Sequence, residues 1–169
     1  MKITHLYHLT LLVDDLPEAE QFYAEVFSPH CFMRGYAPLP LHRDAALLNI
    51  ADTVIEPMRP WPSEGDELDT TIFRFLDRFG PRVHSLAMLI SGAPELADRF
   101  ERAGVRWTDG GLPNHVFPHP KDFPGLFEFA DFGPNLEQFP LADPRMRSGF
   151  DQGYWRDSHP LGIESTSHF

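Results

Sequence analysis

The feature that most constrains the fold is an internal repeat. The segment Ser85 to Glu95 repeats the segment His8 to Glu18 without a gap. Four pairs of residues are identical between the two copies: Leu9/Leu86, Leu12/Leu89, Pro17/Pro94 and Glu18/Glu95. A repeated supersecondary unit in a short chain predicts internal pseudo-symmetry, and this symmetry governs the choice of fold.

Each copy of the repeat has the pattern of a strand, a turn and a helix. In the first copy apolar residues alternate from Leu9 to Val13, which is typical of a half-buried strand. Asp15 can then cap a helix that has Pro17 in its first turn. In the second copy an amphipathic helix ends at Gly104, the residue expected at a left-handed C-terminal position.

Shorter strands follow each repeated unit. Apolar runs between turn residues predict three further strands in each half and one amphipathic helix between the halves. These are strands at Cys31–Tyr36, Ala45–Ile50 and Thr53–Met58, a helix at Thr71–Phe79, and strands at 105–108, 115–118 and 125–131. The sequence therefore predicts an α+β fold made of two pseudo-symmetric βαβββ modules.

The repeat also suggests where the modules begin and end. We expect the first module to span residues 1–65 and the second residues 66–140. Residues 141–169 are polar and interrupted by proline and glycine, which predicts a C-terminal arm or linker. Because Gly162–Phe169 resembles Lys2–Leu9, the start of a further module stays open as an alternative.

Composition excludes several classes of protein. The 25 acidic and 14 basic residues give a formal net charge of −11, which argues against nucleic acid or an anionic membrane as a partner. The sequence lacks a long apolar run, a secretory leader, a GxSxG motif, a phosphate loop and a dinucleotide glycine motif. Cys31 is the single cysteine, so no internal disulfide can form, and we expect a cytoplasmic protein.

Four segments, in order along the chain, resemble the vicinal oxygen chelate superfamily, nearest in motif to glyoxalase I and methylmalonyl-CoA epimerase. They are His8–Leu16, Thr53–Glu56, Phe75–Ala87 and His119–Phe129. The superfamily also includes fosfomycin and bleomycin resistance proteins and extradiol dioxygenases. Over residues 3–139 the resemblance implies that the two modules curve into a half-open, barrel-like cleft.

The resemblance also implies a metal site with two ligands from each module. These are His8 and Glu56 from the first module and His84 and Glu128 from the second. Imidazole and carboxylate ligands suit a divalent Fe, Mn, Ni, Co or Zn ion. Such an ion would stabilise an enolate as a Lewis acid while a glutamate moves the proton, so Glu56 and Glu128 are also the predicted catalytic residues.

One position departs from the pattern of the superfamily. In the gapless alignment of the two halves the partner of His8 is Ser85, not His84. Strict alternation would turn His84 toward the other face of its strand, unless a β-bulge near Pro81 to Ser85 turns it inward. Alternatively His115 or His119 supplies the missing ligand, or the site has lost its metal.

These features predict an enzyme, a divalent-metal-dependent isomerase, epimerase or lyase that acts on a small oxygenated substrate. Two alternatives stay open: an extradiol dioxygenase-like ring-cleavage protein and a metal-free, ligand-sequestering protein of the bleomycin-resistance kind. Leu12 stands where the glyoxalase interpretation expects an arginine, and no basic patch for coenzyme A is evident. A homodimer is implied by the resemblance alone.

Overall fold

The structure, a computed structural model, describes residues 1–37, 41–50, 53–61 and 70–133. Within these ranges the chain forms two successive βαβββ units with one additional helix between them, which confirms the predicted α+β class. The first unit consists of β1 (Lys2–Leu12), α1 (Leu16–Phe27), β2 (His30–Ala37), β3 (Arg43–Ile50) and β4 (Thr53–Pro60).

The second unit repeats this order after the connecting helix α2 (Thr71–Phe79), which has the predicted bounds. Its first strand is long, as in the first unit, whereas its last three strands are short. The unit consists of β5 (Arg82–Ser91), α3 (Ala93–Ala103), β6 (Trp107–Thr108), β7 (His115–Pro118) and β8 (Phe127–Ala130).

One eight-stranded sheet joins the two units in the order β2-β3-β4-β1-β5-β8-β7-β6. The two repeated strands, β1 and β5, pair antiparallel in its centre, with Leu9 opposite its repeat equivalent Leu86. Each then pairs in parallel with the last strand of its own unit, β1 with β4 and β5 with β8. Side chains from both units therefore meet across the two central strands.

Helix α1 begins and packs as its sequence predicts. The side chain of Asp15 caps it, because Oδ1 accepts a hydrogen bond of 2.9 Å from the backbone N–H of Glu18. Leu16 is fully buried against Ala46 and Leu48 of β3. The helix therefore covers the outer face of the first half of the sheet.

Helix α3 covers the outer face of the second half, where Phe100 packs against Val116. Its N-cap residue, Gly92, has no side chain to cap the helix. Instead Asp131, directly after β8, accepts hydrogen bonds from the backbone N–H groups of Gly92 and Ala93. The helix start is thus fixed by a residue 39 positions further along the chain.

Helix α2 covers one end of the inner face of the sheet. Ile72 of this helix packs with Leu12, Ala45 and Met58. Because Ala45 and Ala46 are consecutive in β3, their side chains point to opposite faces, so α1 and α2 lie on opposite sides of the sheet. The rest of the inner face carries the polar residues described below.

The predicted module bounds, 1–65 and 66–140, stay predictions, and the predicted C-terminal arm, 141–169, lies outside the described residues. Among the helices of the described part, none is long and apolar enough to cross a membrane.

Candidate active site

His8 lies at the centre of a polar cluster on the inner face of the sheet. The register of β1 against β5 shifts between Leu6 and His8, so this part of β1 is irregular. The His8 ring is buried and stands 4.6 Å from the ring of Tyr7. Both ring nitrogens of His8 are buried without a hydrogen-bond partner, which is uncommon for polar atoms inside a protein.

Glu56 reaches His8 from the neighbouring parallel strand. It lies opposite Thr10 in the register of β1 and β4, and Thr10 Oγ1 donates a hydrogen bond of 2.9 Å to Glu56 Oε2. The same oxygen stands 3.2 Å from His8 Nε2, in a geometry that is not a hydrogen bond. Glu56 Oε1 stands 3.2 Å from Arg43 Nη2, so both oxygens of this buried carboxylate are engaged.

Glu128 reaches His8 from the other side. It lies opposite Ala87 on β5, and Ala87 in turn lies opposite His8 on β1. Glu128 Oε2 is therefore 3.9 Å from His8 Nε2. Burial raises the pKa of Glu128, but the contact with His115 and the nearby His8 outweigh burial and hold that pKa below its ordinary value. The side chain is thus a carboxylate at neutral pH.

His115 on β7 is the partner of Glu128. Its Nδ1 donates a hydrogen bond of 2.9 Å to the carbonyl oxygen of Pro113, and its Nε2 faces Glu128 Oε1 at 3.4 Å. Burial lowers the pKa of His115, but the contacts with Glu128 and Pro113 outweigh this effect and raise it. Both nitrogens face acceptors, an arrangement that favours the doubly protonated ring. His115 was one of the two alternatives for the missing ligand.

His84 lies at a β-bulge, which is one of the alternatives given above for this strand. Thr10 pairs with Ser85 and the next residue of β1 pairs with Val83, so His84 is the extra residue of β5. Its Nδ1 is 3.0 Å from Ser85 Oγ, and its ring stands 4.7 Å from that of Phe75 on α2. Burial lowers the pKa of His84 to about 4, so the ring is neutral at pH 7. Within the described part of the chain, His84 contacts neither His8 nor a carboxylate.

The other candidate for the missing ligand, His119, lies in the turn that follows β7. Its Nδ1 accepts a hydrogen bond of 3.2 Å from the backbone N–H of Lys121. Its backbone N–H donates to the carbonyl oxygen of Arg106, and its carbonyl oxygen accepts from Asp122 and Phe123. His119 therefore has a local structural role, and no contact with the cluster around His8 is found among the described residues.

Sequence reasoning missed three residues of the cluster: Tyr7, Thr10 and Arg43. Thr10 follows His8 by two positions on the same strand, so strict alternation could have placed it on the same face. Arg43 is the one charged residue that alternates with Ala45 and the other inner-face residues of β3. No local pattern marks Tyr7, because the irregular register of β1 brings it to this face.

Tyr7 contributes a neutral phenol to the site. Burial raises the pKa of Tyr7, and the carboxylates of Glu56 and Glu128 raise it further, while Arg43 acts in the opposite direction. The ring packs in a small cluster with Ala130 on β8, below the polar residues. The hydroxyl group of Tyr7 therefore keeps its proton at neutral pH.

The cluster has the chemistry of a divalent-metal site, although its side chains do not enclose an ion as they stand. Among the described residues, no three His, Cys, Asp or Glu side chains form a group that could hold a metal. Yet His8 has two buried nitrogens without partners, and Glu56 and Glu128 both approach one of them. One imidazole between two carboxylates is a donor set that suits a divalent transition metal.

A cavity of about 230 Å³ opens beside Glu56 on the inner face of the first unit. Its walls are mostly small or apolar side chains of β2 and β3, such as Met33, Ala45 and Leu47. Arg43 and Glu56 are the charged residues at the end nearest His8. The site therefore combines a polar centre with an adjoining apolar space of small-molecule size.

Comparisons with known proteins agree with this geometry. No family model and no curated protein match the sequence, but solved structures do. Methylmalonyl-CoA epimerase from Mycobacterium tuberculosis matches with a TM-score of 0.67 and 26% identity, over 79% of this chain and 91% of that chain. A variant of the Streptomyces coelicolor methylmalonyl-CoA epimerase, in complex with 2-nitronate-propionyl-CoA, matches with a TM-score of 0.63 and 22% identity, over 77% and 98%. The chain therefore has the fold of the vicinal oxygen chelate superfamily.

A third structure, a methylmalonyl-CoA epimerase in complex with methylmalonyl-CoA and NH4+, has a TM-score of 0.66 and 21% identity over 79% of this chain and 97% of that chain. The predicted resemblance to the superfamily, the predicted fold class and the prediction of an enzyme are thereby confirmed. The homodimer, the cytoplasmic location and the roles of individual site residues stay predictions.

Proposed function

We propose that the protein is an epimerase, which removes a proton from a carbon atom beside a carbonyl group and returns it on the opposite face. The observation that carries this proposal is the pair of carboxylates around His8. Glu56 and Glu128 stand 3.2 and 3.9 Å from the same nitrogen, and they come from strands on opposite sides of the central pair β1 and β5. A substrate held next to His8 would have two proton acceptors within reach, one from each side of the central strands.

The surroundings of each carboxylate suit this task. Glu128 is ionised and can take up a proton, and its contact with His115 holds one of its oxygens in place. Glu56 is held by Thr10 and Arg43. Rigid support of this kind keeps an acid–base group within reach of the reacting carbon, and proton transfer by a positioned side chain contributes about 10²- to 10⁴-fold to the rate.

We further propose that His8, Glu56 and Glu128 hold a divalent metal ion, with His84 as the fourth ligand. When bound, the ion would act as a Lewis acid toward the carbonyl oxygen of the substrate and stabilise the enolate. His84 is included because the resemblance implies it; among the described residues its ring contacts Ser85 and Phe75 rather than His8. The donor chemistry supports this assignment, together with the buried, unpartnered nitrogens of His8.

The substrate that best fits this chemistry is a small oxygenated acyl compound with an acidic C–H group beside its carbonyl. An acyl-CoA thioester is the first candidate, because two of the matched epimerase structures contain such compounds. The cavity of about 230 Å³ is large enough for a short acyl group.

Hydrogen exchange at the α-carbon tests the proposal. Methylmalonyl-CoA is incubated with the protein in D₂O, with each candidate divalent ion, and incorporated deuterium is measured by mass spectrometry against a protein-free control. We expect catalysed exchange in the wild type and a loss of about 10²- to 10⁴-fold in Glu56→Gln and in Glu128→Gln. Glu25→Gln, on the solvent side of α1, is the matched control and should exchange like the wild type.

Metal analysis of the wild type and of His8→Ala separates the alternatives. A transition metal that is lost in the variant, together with α-exchange, supports the epimerase. Bound iron with cleavage of catechols and no α-exchange would show the dioxygenase instead. Tight ligand binding without metal and without exchange would show a sequestering protein, and either of these results would overturn the proposal.

A further inference from the structure

Arg43 places a permanent positive charge at the junction of the cavity and the polar cluster. Its side chain is 19% exposed, its Nη2 stands 3.2 Å from Glu56 Oε1, and it lines the cavity beside Glu56. A guanidinium group has five N–H donors in a fixed plane. Within the described part of the chain, the contact with Glu56 is the one ion pair that Arg43 makes.

The second arginine of the cavity, like Arg43, is paired with a carboxylate, but it is more exposed. Arg34 Nε donates to both carboxylate oxygens of Glu20 at 2.9 Å, and its side chain is 48% exposed. The remaining walls are small or apolar, such as Gly35 and Leu47. Because Arg43 is less exposed than Arg34 and stands beside Glu56, it is the cationic group of the cavity best placed to receive an anion near His8.

We propose that Arg43 binds a carboxylate group of the substrate and thereby determines specificity for acidic over neutral acyl compounds. This inference rests on the proposed epimerase function and deepens it. A planar guanidinium matches a carboxylate through two parallel hydrogen bonds, which a point charge such as lysine cannot reproduce. In this role Arg43 lies between Glu56 and the carboxylate of the substrate and offsets the repulsion between these two anions.

The binding affinities of two unreactive ligands measure this contact separately from catalysis. Dimethylmalonyl-CoA and pivaloyl-CoA differ only by a carboxylate in place of a methyl group, and neither carries an α-hydrogen. Titration calorimetry on the metal-loaded wild type should show tighter binding of dimethylmalonyl-CoA. In Arg43→Gln the affinity for dimethylmalonyl-CoA should fall about ten- to a hundredfold, the range of a charge-assisted hydrogen bond, while that for pivaloyl-CoA stays within about twofold.

Two further variants keep the test decisive. Arg43→Lys keeps the charge without the planar fork and should lose part of the preference, even if Arg43→Gln folds poorly. Arg106→Gln removes an arginine that is paired with Asp122 and does not line the cavity, and it should keep the full preference of the wild type.

Three results would overturn the proposal. The first is equal loss of affinity for both ligands in Arg43→Gln, because Arg43 would then act only by holding Glu56. The second is a wild type that does not distinguish the two ligands, and the third is a wild type that binds neither. Because neither ligand can react, the carboxylate contact can fail while α-exchange of methylmalonyl-CoA succeeds, and the reverse can also occur.

Discussion

The clearest stability prediction concerns Asp131, which connects the end of strand β8 to the start of helix α3 through hydrogen bonds. Its Oδ2 accepts hydrogen bonds from the backbone N–H groups of Gly92 at 2.7 Å and Ala93 at 3.1 Å, and its Oδ1 accepts one from Gly133 at 2.8 Å. Loss of a helix N-cap costs about 1–2 kcal/mol, and loss of a negative charge at a helix N-terminus costs about 0.3–1 kcal/mol. Because Asp131 is only partly buried, solvent screening keeps the charge contribution at the low end.

We therefore expect Asp131→Ala to lower the free energy of unfolding by about 2 kcal/mol, which corresponds to about 4–8 °C in Tm for a chain of this size. Asp131→Asn, which keeps one acceptor oxygen but no charge, should lose about half as much. Urea denaturation followed by circular dichroism gives both values. Asp109→Ala is the matched control, because Asp109 accepts a similar hydrogen bond from Gly111 in an exposed loop without a helix to cap.

The contribution of Asp131 to the free energy of unfolding should change with pH in one direction. Burial raises the pKa of Asp131, but the backbone hydrogen bonds from Gly133, Ala93 and Gly92 outweigh burial and lower it in the folded protein. A depressed folded-state pKa contributes stability that is present above the unfolded value of about 3.9 and is lost as pH falls through the folded value. The difference in the free energy of unfolding between the wild type and Asp131→Asn should therefore become smaller from pH 7 to pH 3. A difference in the free energy of unfolding that stays constant with pH would refute the reasoning. So would an Asp131→Ala variant whose free energy of unfolding is within about 0.5 kcal/mol of that of the wild type.

Three further substitutions test other parts of the structure. Thr10→Val removes the donor to buried Glu56 and should cost about 1–3 kcal/mol and slow α-exchange; unchanged exchange would show that this contact is dispensable. Leu16→Ala should cost about 2–5 kcal/mol in urea denaturation, because Leu16 is fully buried, and a cost below 1 kcal/mol would contradict its place in the core. Gly110→Ala should cost at least about 1 kcal/mol, because φ is +62° and the new Cβ would lie 3.0 Å from Phe117; a stability equal to that of the wild type would argue against this loop conformation.

The fold could be predicted from sequence because its signals are local. Alternation along β1 and β5, the cap at Asp15 and the stop at Gly104 each depend on residues within one turn or one strand. The repeat then predicts how the two halves combine, because two copies of one strand–helix unit can bury their apolar faces together when their strands pair in one sheet. The bounds of α2 were recovered in the same way, from helical periodicity alone.

The site could be predicted only in part, because its contacts depend on strand pairing. His8, Glu56 and Glu128 lie close together, and their shared role as ligands stays a prediction. The bulge at His84 is a property of two strands in register, and one strand read alone cannot show it. The contact of Arg43 with Glu56 likewise joins neighbouring strands, and no periodicity within either strand encodes it.

The repeat also explains how two carboxylates come to face one imidazole. Thr10 and Ala87 are equivalent positions in the two copies, and Glu56 and Glu128 lie opposite them in the two parallel strand pairs. The two carboxylates are therefore related by the pseudo-symmetry of the backbone.

The partners of these carboxylates break the symmetry. Glu56 stands beside Arg43, a permanent cation, whereas Glu128 stands beside His115, an imidazole that can lose its proton. The equivalent of His8 in the second copy is Ser85. In the proposed epimerase, a substrate held next to His8 would thus meet two acceptors with similar positions but different surroundings. In an epimerase the two faces of the reacting carbon are not equivalent either, because only one of them carries the hydrogen at any time, and this asymmetric environment within a symmetric backbone fits that requirement.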